Sequence, residues 1–118
     1  MAAEPTRHVL IFGVDVRNEP GYRRYREGMT PILESHGGAF GYDFVVSQVL
    51  KSETEAPINR VFTMVFPERS AAERFFSDPA YRAVRAELFD SSVGAVTKIG
   101  SYDEATPAHE RSARGADT

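Results

Sequence analysis

Two hydrophobic periods alternate along this chain, and their order restricts the fold more than any other feature of the sequence. Residues 8–16 read HVLIFGVDV, a short apolar run rich in β-branched and aromatic side chains, which is typical of a buried strand. Residues 22–36 carry apolar side chains at helical spacing, whereas residues 39–50 and 60–66 show the alternation of strands. A second helical stripe and a weaker strand over residues 92–102 follow. The predicted order is therefore β-α-β-β-α-β.

The ends of the predicted helices carry matching signals. Asn18 can accept hydrogen bonds from free amides at the start of the first helix, and Pro20 suits its first turn. Pro31 lies inside the pattern and predicts a kink, and Gly37 provides a helix stop. The second helix contains the sequence Ser-Asp-Pro at residues 77–79, which predicts an interruption followed by a restart.

This order predicts an α+β domain of ferredoxin-like topology, βαββαβ, with a four-stranded antiparallel sheet and two helices on one face. The chain has 118 residues, enough for one core but not for two. We assign residues 1–103 to this single domain. Residues 104–118 are polar and poor in large apolar side chains, and they are expected to form a flexible C-terminal tail.

Composition excludes several classes of function. The chain contains no cysteine, which removes disulfides, thiolate metal sites and thiol nucleophiles. Its net charge is −3 and no basic stripe interleaves with aromatic residues, so nucleic-acid binding is not expected. No apolar run approaches membrane-spanning length, and the first residues do not resemble a signal peptide, so we expect a cytoplasmic protein. Three scattered histidines lack the spacing of metal ligands, and no cofactor is expected.

The apolar residues on one face of the predicted sheet indicate a homodimer. With both helices on one face, the alternation places Val45, Val49, Val61 and Val65 on the other, with Asp43 beside Val45 on the same face. An apolar sheet face of that size is rarely left in water, and the same face of a second subunit is the simplest cover. A monomer whose tail crosses the sheet is the alternative, which the polar composition of the tail disfavours.

The sequence resembles the DUF1330 family over roughly residues 8–102. The resemblance rests on residues 14–18 (VDVRN), residues 31–40 (PILESHGGAF), residues 60–67 and, most specifically, residues 71–81 (AAERFFSDPAY). It implies a dimeric α/β barrel in a family of undefined function. A sister family on the same barrel, such as the antibiotic-biosynthesis monooxygenases, stays open as an alternative.

The sequence departs from the family pattern at its polar positions. Asp43, Lys51, Val65 and Leu88 stand at or near places where the family carries an arginine, an acidic residue followed by glycine, a glutamate and a second arginine. The resemblance therefore transfers the scaffold better than any polar site.

Three residues are candidates for proton transfer. Asp43 and Asp15 lie within or late in strands among apolar neighbours, where burial would raise the pKa of a carboxyl group and make it a base. Both would instead be structural if they lie at a strand end or sheet edge. His36 lies on the apolar stripe of the first helix and is a candidate proton shuttle or haem ligand, with a structural helix-end histidine as the alternative. His8 and His109 receive no role.

The candidate substrate-binding residues are aromatic or polar. Tyrosine rings could orient an aromatic ligand, although such residues are more often part of a core. Arg60 begins a strand and could bind a carboxylate, and Thr63 lies within reach of Asp43 if the hairpin register permits. The candidates are Tyr22, Tyr25, Tyr42, Tyr81, Arg60 and Thr63.

Two functions remain open at this point. The first is a dimeric barrel that handles a small hydrophobic or aromatic ligand as a cofactor-free isomerase, cyclase or monooxygenase-like enzyme. The second is a non-catalytic ligand-binding or regulatory dimer. Turnover of a bound compound would distinguish the two.

Overall fold

The computed structural model describes residues 5–108, and the predicted order of elements is confirmed. The elements are β1 (Thr6–Val16), α1 (Glu19–Ser35), β2 (Ala39–Val45), β3 (Arg60–Phe66), α2 (Arg69–Ser77), α3 (Pro79–Val84), a π-helical segment (Arg85–Phe89) and β4 (Val93–Ala105).

The four strands form one antiparallel sheet in the order β2-β3-β1-β4. This is the ferredoxin-like α+β fold that the sequence predicts. The core lies between one sheet face and the helices, and its most enclosed members are Val14, Tyr22, Met29, Leu33, Phe66 and Phe75. We call the opposite side, which the helices leave uncovered, the open face.

The cap at Asn18, the helix stop at Gly37 and the break at Asp78 are found where the sequence predicts them. The side chain of Asn18 accepts a hydrogen bond from the amide of Gly21, 3.1 Å away. The helix α1 ends at Ser35, and Gly37 follows with a φ of 76°, a conformation that favours glycine. Pro31 lies inside a helix that is continuous from Glu19 to Ser35. Between α2 and α3, Asp78 caps the restarted helix by accepting a hydrogen bond from the amide of Ala80.

The strand β2 is shorter than predicted and contains a bulge. It ends at Val45 instead of continuing to residue 50. Phe40 pairs with Met64 and Asp43 pairs with Phe62, so two residues of β2 oppose the single residue Thr63.

The extra residue reverses the alternation, because paired residues point to the same side of a sheet. Asp43 and Val45 therefore share the helix-covered side with Phe62. The predictions that Asp43 and Val45 belong to the open face, and that Asp43 lies beside Thr63, are wrong for this reason. The placement of Val61 and Val65 on the open face is confirmed, since they alternate with core residues of β3.

The last strand continues beyond the predicted domain boundary. Glu104 and Ala105 belong to β4, and the amide of Thr106 donates a hydrogen bond to the carbonyl of Pro5. Residues 109–118 of the predicted tail, with His109, lie outside the described residues. Among the helices of residues 5–108, none is long and apolar enough to cross a membrane.

Candidate functional site

Three of the predicted site residues, Tyr22, Asp43 and Arg60, meet in one place. Together with Arg26, which the sequence did not single out, they form what we call the arginine–carboxylate cluster. Arg60 donates two hydrogen bonds to the carboxylate of Asp43, from Nε to Oδ1 and from Nη2 to Oδ2, both 2.9 Å. Arg26 of α1 donates a third to Oδ2 over 2.9 Å, and its Nη1 donates to the hydroxyl of Tyr22 over 2.8 Å. The cluster thereby joins α1 to the edge of the sheet.

The surroundings of Asp43 favour a charged acceptor rather than a base. Hydrogen bonds from Arg60, and the charge of Arg26 beside it, hold the pKa of the Asp43 carboxyl below its ordinary value despite partial burial. The guanidinium of Arg26 also lies 3.7 Å from the centre of the Phe40 ring. A carboxylate whose pKa is lowered below its ordinary value is a weaker base, which suits it poorly to general-base catalysis near neutral pH.

Two further candidate binding residues, Tyr25 of α1 and Tyr81 of α3, lie in the core. The hydroxyl groups of Tyr25 and Tyr81 are 2.9 Å apart and bond each other. Burial raises the pKa of Tyr25 and Tyr22 above the ordinary value for tyrosine, so both stay neutral. Their positions match the alternative reading of core residues whose hydroxyls find a polar partner.

His36 and Asp15 each bond a neighbouring charged side chain outside the cluster. Nε2 of His36 lies 2.8 Å from the carboxylate of Asp78. This hydrogen bond, and a second one from the amide of Ala80, lower the pKa of the Asp78 carboxyl group. Asp15 is buried at the end of β1 and accepts a hydrogen bond from Arg17 over 2.9 Å. The structure brings neither residue to the arginine–carboxylate cluster.

Tyr42 and Thr63 lie at the bulge. The hydroxyl of Thr63 accepts a hydrogen bond from the amide of Tyr42 over 2.7 Å. The ring of Tyr42 is exposed and packs 5.7 Å from the ring of Phe44. Thr63 thus supports the backbone of β2, and among the described residues its hydroxyl makes no hydrogen bond to Asp43.

A depression lies between the strands β1 and β4 and the segments α2, α3 and Arg85–Phe89, and we call it the basic groove. Its volume is about 540 Å³. Apolar side chains supply its floor: Leu10, Phe12, Ala72 and Phe76. Polar and charged side chains surround that floor: His8, Arg69, Glu73, Ser77, Arg82, Arg85 and Lys98.

Three cations of the groove, Lys98, Arg82 and Arg85, make either no ion pair or only long polar contacts with the described residues, and we call them weakly engaged. Within residues 5–108, Lys98 makes no ion pair. Arg82 donates to the carbonyl of Phe76 over 3.3 Å, and Arg85 lies 3.9 Å from Asp90. These cations are available to a negatively charged group in the groove.

His8 is the buried polar group of this groove. Its side chain is 10% exposed, and its Nδ1 lies 2.7 Å from the carboxylate of Asp103 on β4. The sequence pattern alone assigns His8 no role. A signal was present, because His8 alternates with Leu10 and Phe12 and so points to the side of the sheet that the helices cover.

Across residues 5–108, no three histidine, aspartate or glutamate side chains group as a metal site. The groove offers donors and cations instead, a set suited to an anionic organic compound.

A family model described as a domain of unknown function, DUF1330, matches residues 9–100 of this chain. No curated protein matches the sequence.

Three solved structures share the fold at low sequence identity. A protein of unknown function from Rhodopseudomonas palustris is 19% identical, with 89% of this chain and 86% of that chain covered and a TM-score of 0.69. A dabb family protein with a ferredoxin-like fold from Mesorhizobium loti is 13% identical, with 87% and 99% covered and a TM-score of 0.56. A Bacteroides thetaiotaomicron protein provisionally named an antibiotic biosynthesis monooxygenase is 15% identical, with 86% and 90% covered and a TM-score of 0.51. These likenesses establish the fold alone.

Proposed function

Because this chain belongs to the DUF1330 family, which is defined as a domain of unknown function, its activity has to be inferred from its own side chains, and we propose that it binds a small amphipathic carboxylate in the basic groove. The observation that carries the proposal is the pairing of an apolar floor with weakly engaged cations in one depression.

The floor of the groove suits an aromatic or extended apolar body. Phe12 and Phe76 lie edge to face with ring centres 6.2 Å apart, and Leu10 continues the same surface along β1. Removing apolar surface from water stabilises a complex by about 25 cal/mol for each Å² buried. A planar ring system can contact both phenylalanines at once.

The cations suit a carboxylate at one end of that body. Phe12 pairs with Lys98 across β1 and β4, which places the lysine on the same side of the sheet as the phenylalanine. Arg82 and Arg85 approach from α3 and the π-helical segment. Arginine binds carboxylates with two parallel hydrogen bonds, so this end of the groove selects an anionic group.

The proposal extends to assembly. The exposed aromatic and aliphatic side chains of the open face and its rim include Tyr42, Phe44, Val49, Leu50, Ile99 and Tyr102. A second copy of this chain, related by a two-fold axis, would cover them with the same surface. The basic groove lies on the other side of the sheet and stays accessible in such a dimer.

Titration calorimetry with 2-naphthoate tests the binding proposal, and 2-naphthamide supplies a neutral compound of the same shape. We expect 2-naphthoate to bind at least about tenfold more tightly, which corresponds to about 1.4 kcal/mol. Lys98→Gln should remove much of that preference. Lys51→Gln, which changes the other lysine of the sequence on the β2–β3 connection, should not.

Equal binding of the two compounds, or equal effects of the two lysine substitutions, would contradict the proposal.

A carrier and an enzyme both require this binding. A non-catalytic module would leave the natural ligand unchanged, whereas an isomerase, cyclase or monooxygenase-like enzyme would convert it.

A further inference from the structure

We propose that His8 is a general base, held by Asp103, that removes a proton from a compound bound in the basic groove. This inference rests on the proposed function for the identity of the site. It goes further by assigning a reaction class, proton abstraction from a carbon acid that also carries a carboxylate.

The hydrogen bond to Asp103 orients the imidazole for this role. Nδ1 of His8 lies 2.7 Å from Oδ1 of Asp103, so the neutral ring carries its proton on Nδ1 and donates it to the carboxylate. Nε2 then has a free lone pair, and no other side chain among residues 5–108 bonds it. A carboxylate that fixes the histidine tautomer in this way also stabilises the imidazolium formed on proton uptake.

His8 lies at one end of the groove, and the cations Lys98, Arg82 and Arg85 lie towards the other. His8 pairs with Phe66, which precedes α2, whereas Phe12 contacts Phe76 near the end of that helix. His8 and Phe12 are four residues apart on β1, a span of about 13 Å at the usual rise of a strand. A compound whose carboxylate contacts Lys98 would therefore extend along Leu10 and present its far end to His8.

The groups that face His8 are charged on both neighbouring layers. Asp103 approaches from β4, and Arg69 and Glu73 approach from α2, where they lie 3.5 Å apart as an ion pair. The cations Arg82, Arg85 and Lys98 lie towards the other end. Among the residues that line the groove, His8 is the one histidine.

The proposed step is balanced without a cofactor. Nε2 takes a proton from a carbon next to a carbonyl group, and the electron pair of the broken C–H bond passes into the enolate. The imidazolium then returns the proton to another atom of the conjugated system, which completes an isomerisation. No oxidant, reductant or metal ion takes part.

A Kemp elimination of 5-nitrobenzisoxazole tests the base without knowledge of the natural substrate. The base removes the proton from C3, the electron pair of the C–H bond forms the third C–N bond of a nitrile, and the N–O bond breaks with its electron pair passing to oxygen. The ring opens to a single coloured product, 2-cyano-4-nitrophenolate. General bases typically contribute 10²–10⁴-fold, so His8→Gln should lower the protein-catalysed rate about 100-fold.

The matched control is His36→Gln, because His36 also bonds an aspartate but lies outside the groove. We expect this variant to keep the rate of the unsubstituted protein. In addition, 2-naphthoate should inhibit the elimination competitively. No dependence of the rate on His8, or an equal loss in both variants, would overturn the inference.

A direct measurement keeps the inference testable if His8→Gln does not fold. Long-range ¹H–¹⁵N spectra of the unsubstituted protein should show His8 as the neutral tautomer protonated on Nδ1, and the opposite tautomer would overturn the inference. If 2-naphthoate binding depends on Lys98 as expected but the elimination rate does not depend on His8, the inference about His8 is wrong and the proposed function stands. If 2-naphthoate does not bind, the proposed function fails whatever the elimination shows.

Discussion

The carboxylate of Asp43 receives the guanidinium of Arg60 side-on, through two hydrogen bonds of 2.9 Å. Asp43 lies on the edge strand β2 and Arg60 begins the neighbouring strand β3. With the third bond from Arg26 of α1, the pair fixes an edge of the sheet to a helix. The side chains of Arg26 and Arg60 are 18% and 19% exposed, so water screens these bonds only in part.

We predict that Asp43→Asn destabilises the protein by about 1 kcal/mol, because the amide keeps one acceptor but loses the charge that both guanidiniums require. The melting temperature should fall by about 4 °C. Asp90→Asn is the matched control, since Asp90 is exposed and lies 3.9 Å from its arginine. Thermal unfolding followed by circular dichroism measures both. An unchanged melting temperature in Asp43→Asn would show that the cluster contributes nothing to stability.

The same pair predicts a pH dependence with a definite sign. The pKa of Asp43 is lowered in the folded state, so its contribution is complete above the ordinary value of 3.8 and is lost as pH falls through the lower folded value. The stability difference between the unsubstituted protein and Asp43→Asn should therefore be constant from pH 7 to 5 and shrink towards pH 2. Urea unfolding at pH 7, 5 and 3 measures it. A difference that grows on acidification would contradict the folded-state charge of Asp43.

The placement of Asp43 shows where the sequence pattern stops being informative. Hydrophobic periodicity predicts the order of the elements. Local residue types predict the cap at Asn18 and the break at Asp78. The side of the sheet on which Asp43 lies depends on one extra residue in β2. No residue at the bulge departs from strand-like alternation, so counting by twos from Phe40 reaches the wrong side.

We predict that Gly41→Ala destabilises the bulge by about 2 kcal/mol. A Cβ atom at Gly41 would lie 2.5 Å from the hydroxyl oxygen of Thr63, closer than two such atoms can approach. That hydroxyl bonds the amide of Tyr42 and cannot move without losing the bond. Removing the oxygen in Thr63→Ala should recover part of the loss in the double variant. A fully additive cycle would contradict the proposed clash.

The basic groove could not be predicted from the sequence, for a different reason. Its charged residues come from β1, α2, α3, the π-helical segment and β4, and they are distant in sequence. His8 was recognisable as a residue on the core side of β1, but its partner Asp103 is 95 residues away. Pairing across a sheet depends on strand order and register, which periodicity along one strand does not contain.

The end of β4 provides a prediction about truncation. A chain that ends at Ala108 should melt within about 2 °C of the full chain, because residues 109–118 are polar and poor in large apolar side chains. A chain that ends at Asp103 should lose several degrees more. It lacks the bonds from Arg7 to Glu104, 2.6 and 2.8 Å, and the bond between Thr106 and Pro5. Equal melting of the two truncated chains would contradict a structural role for residues 104–108.

The proposed dimer gives the sharpest test of the two sides of the sheet. Phe44 and Val45 are adjacent on β2 and both exposed, but Phe44 pairs with Val61 on the open face whereas Val45 pairs with Arg60 on the helix side. The mass of one chain is 13.1 kDa, and sedimentation equilibrium at micromolar concentration should give twice that mass. Phe44→Glu should shift the protein to the monomer, because a charge would be buried without a partner at the two-fold interface.

Val45→Glu is the matched control, since it places the same charge one residue further along the same strand. It should leave the dimer intact, because its side chain points away from the proposed interface. A monomer at every accessible concentration would contradict the dimer itself. Dissociation by Val45→Glu with a stable dimer in Phe44→Glu would instead place the interface on the helix side, where a partner would also restrict access to the basic groove.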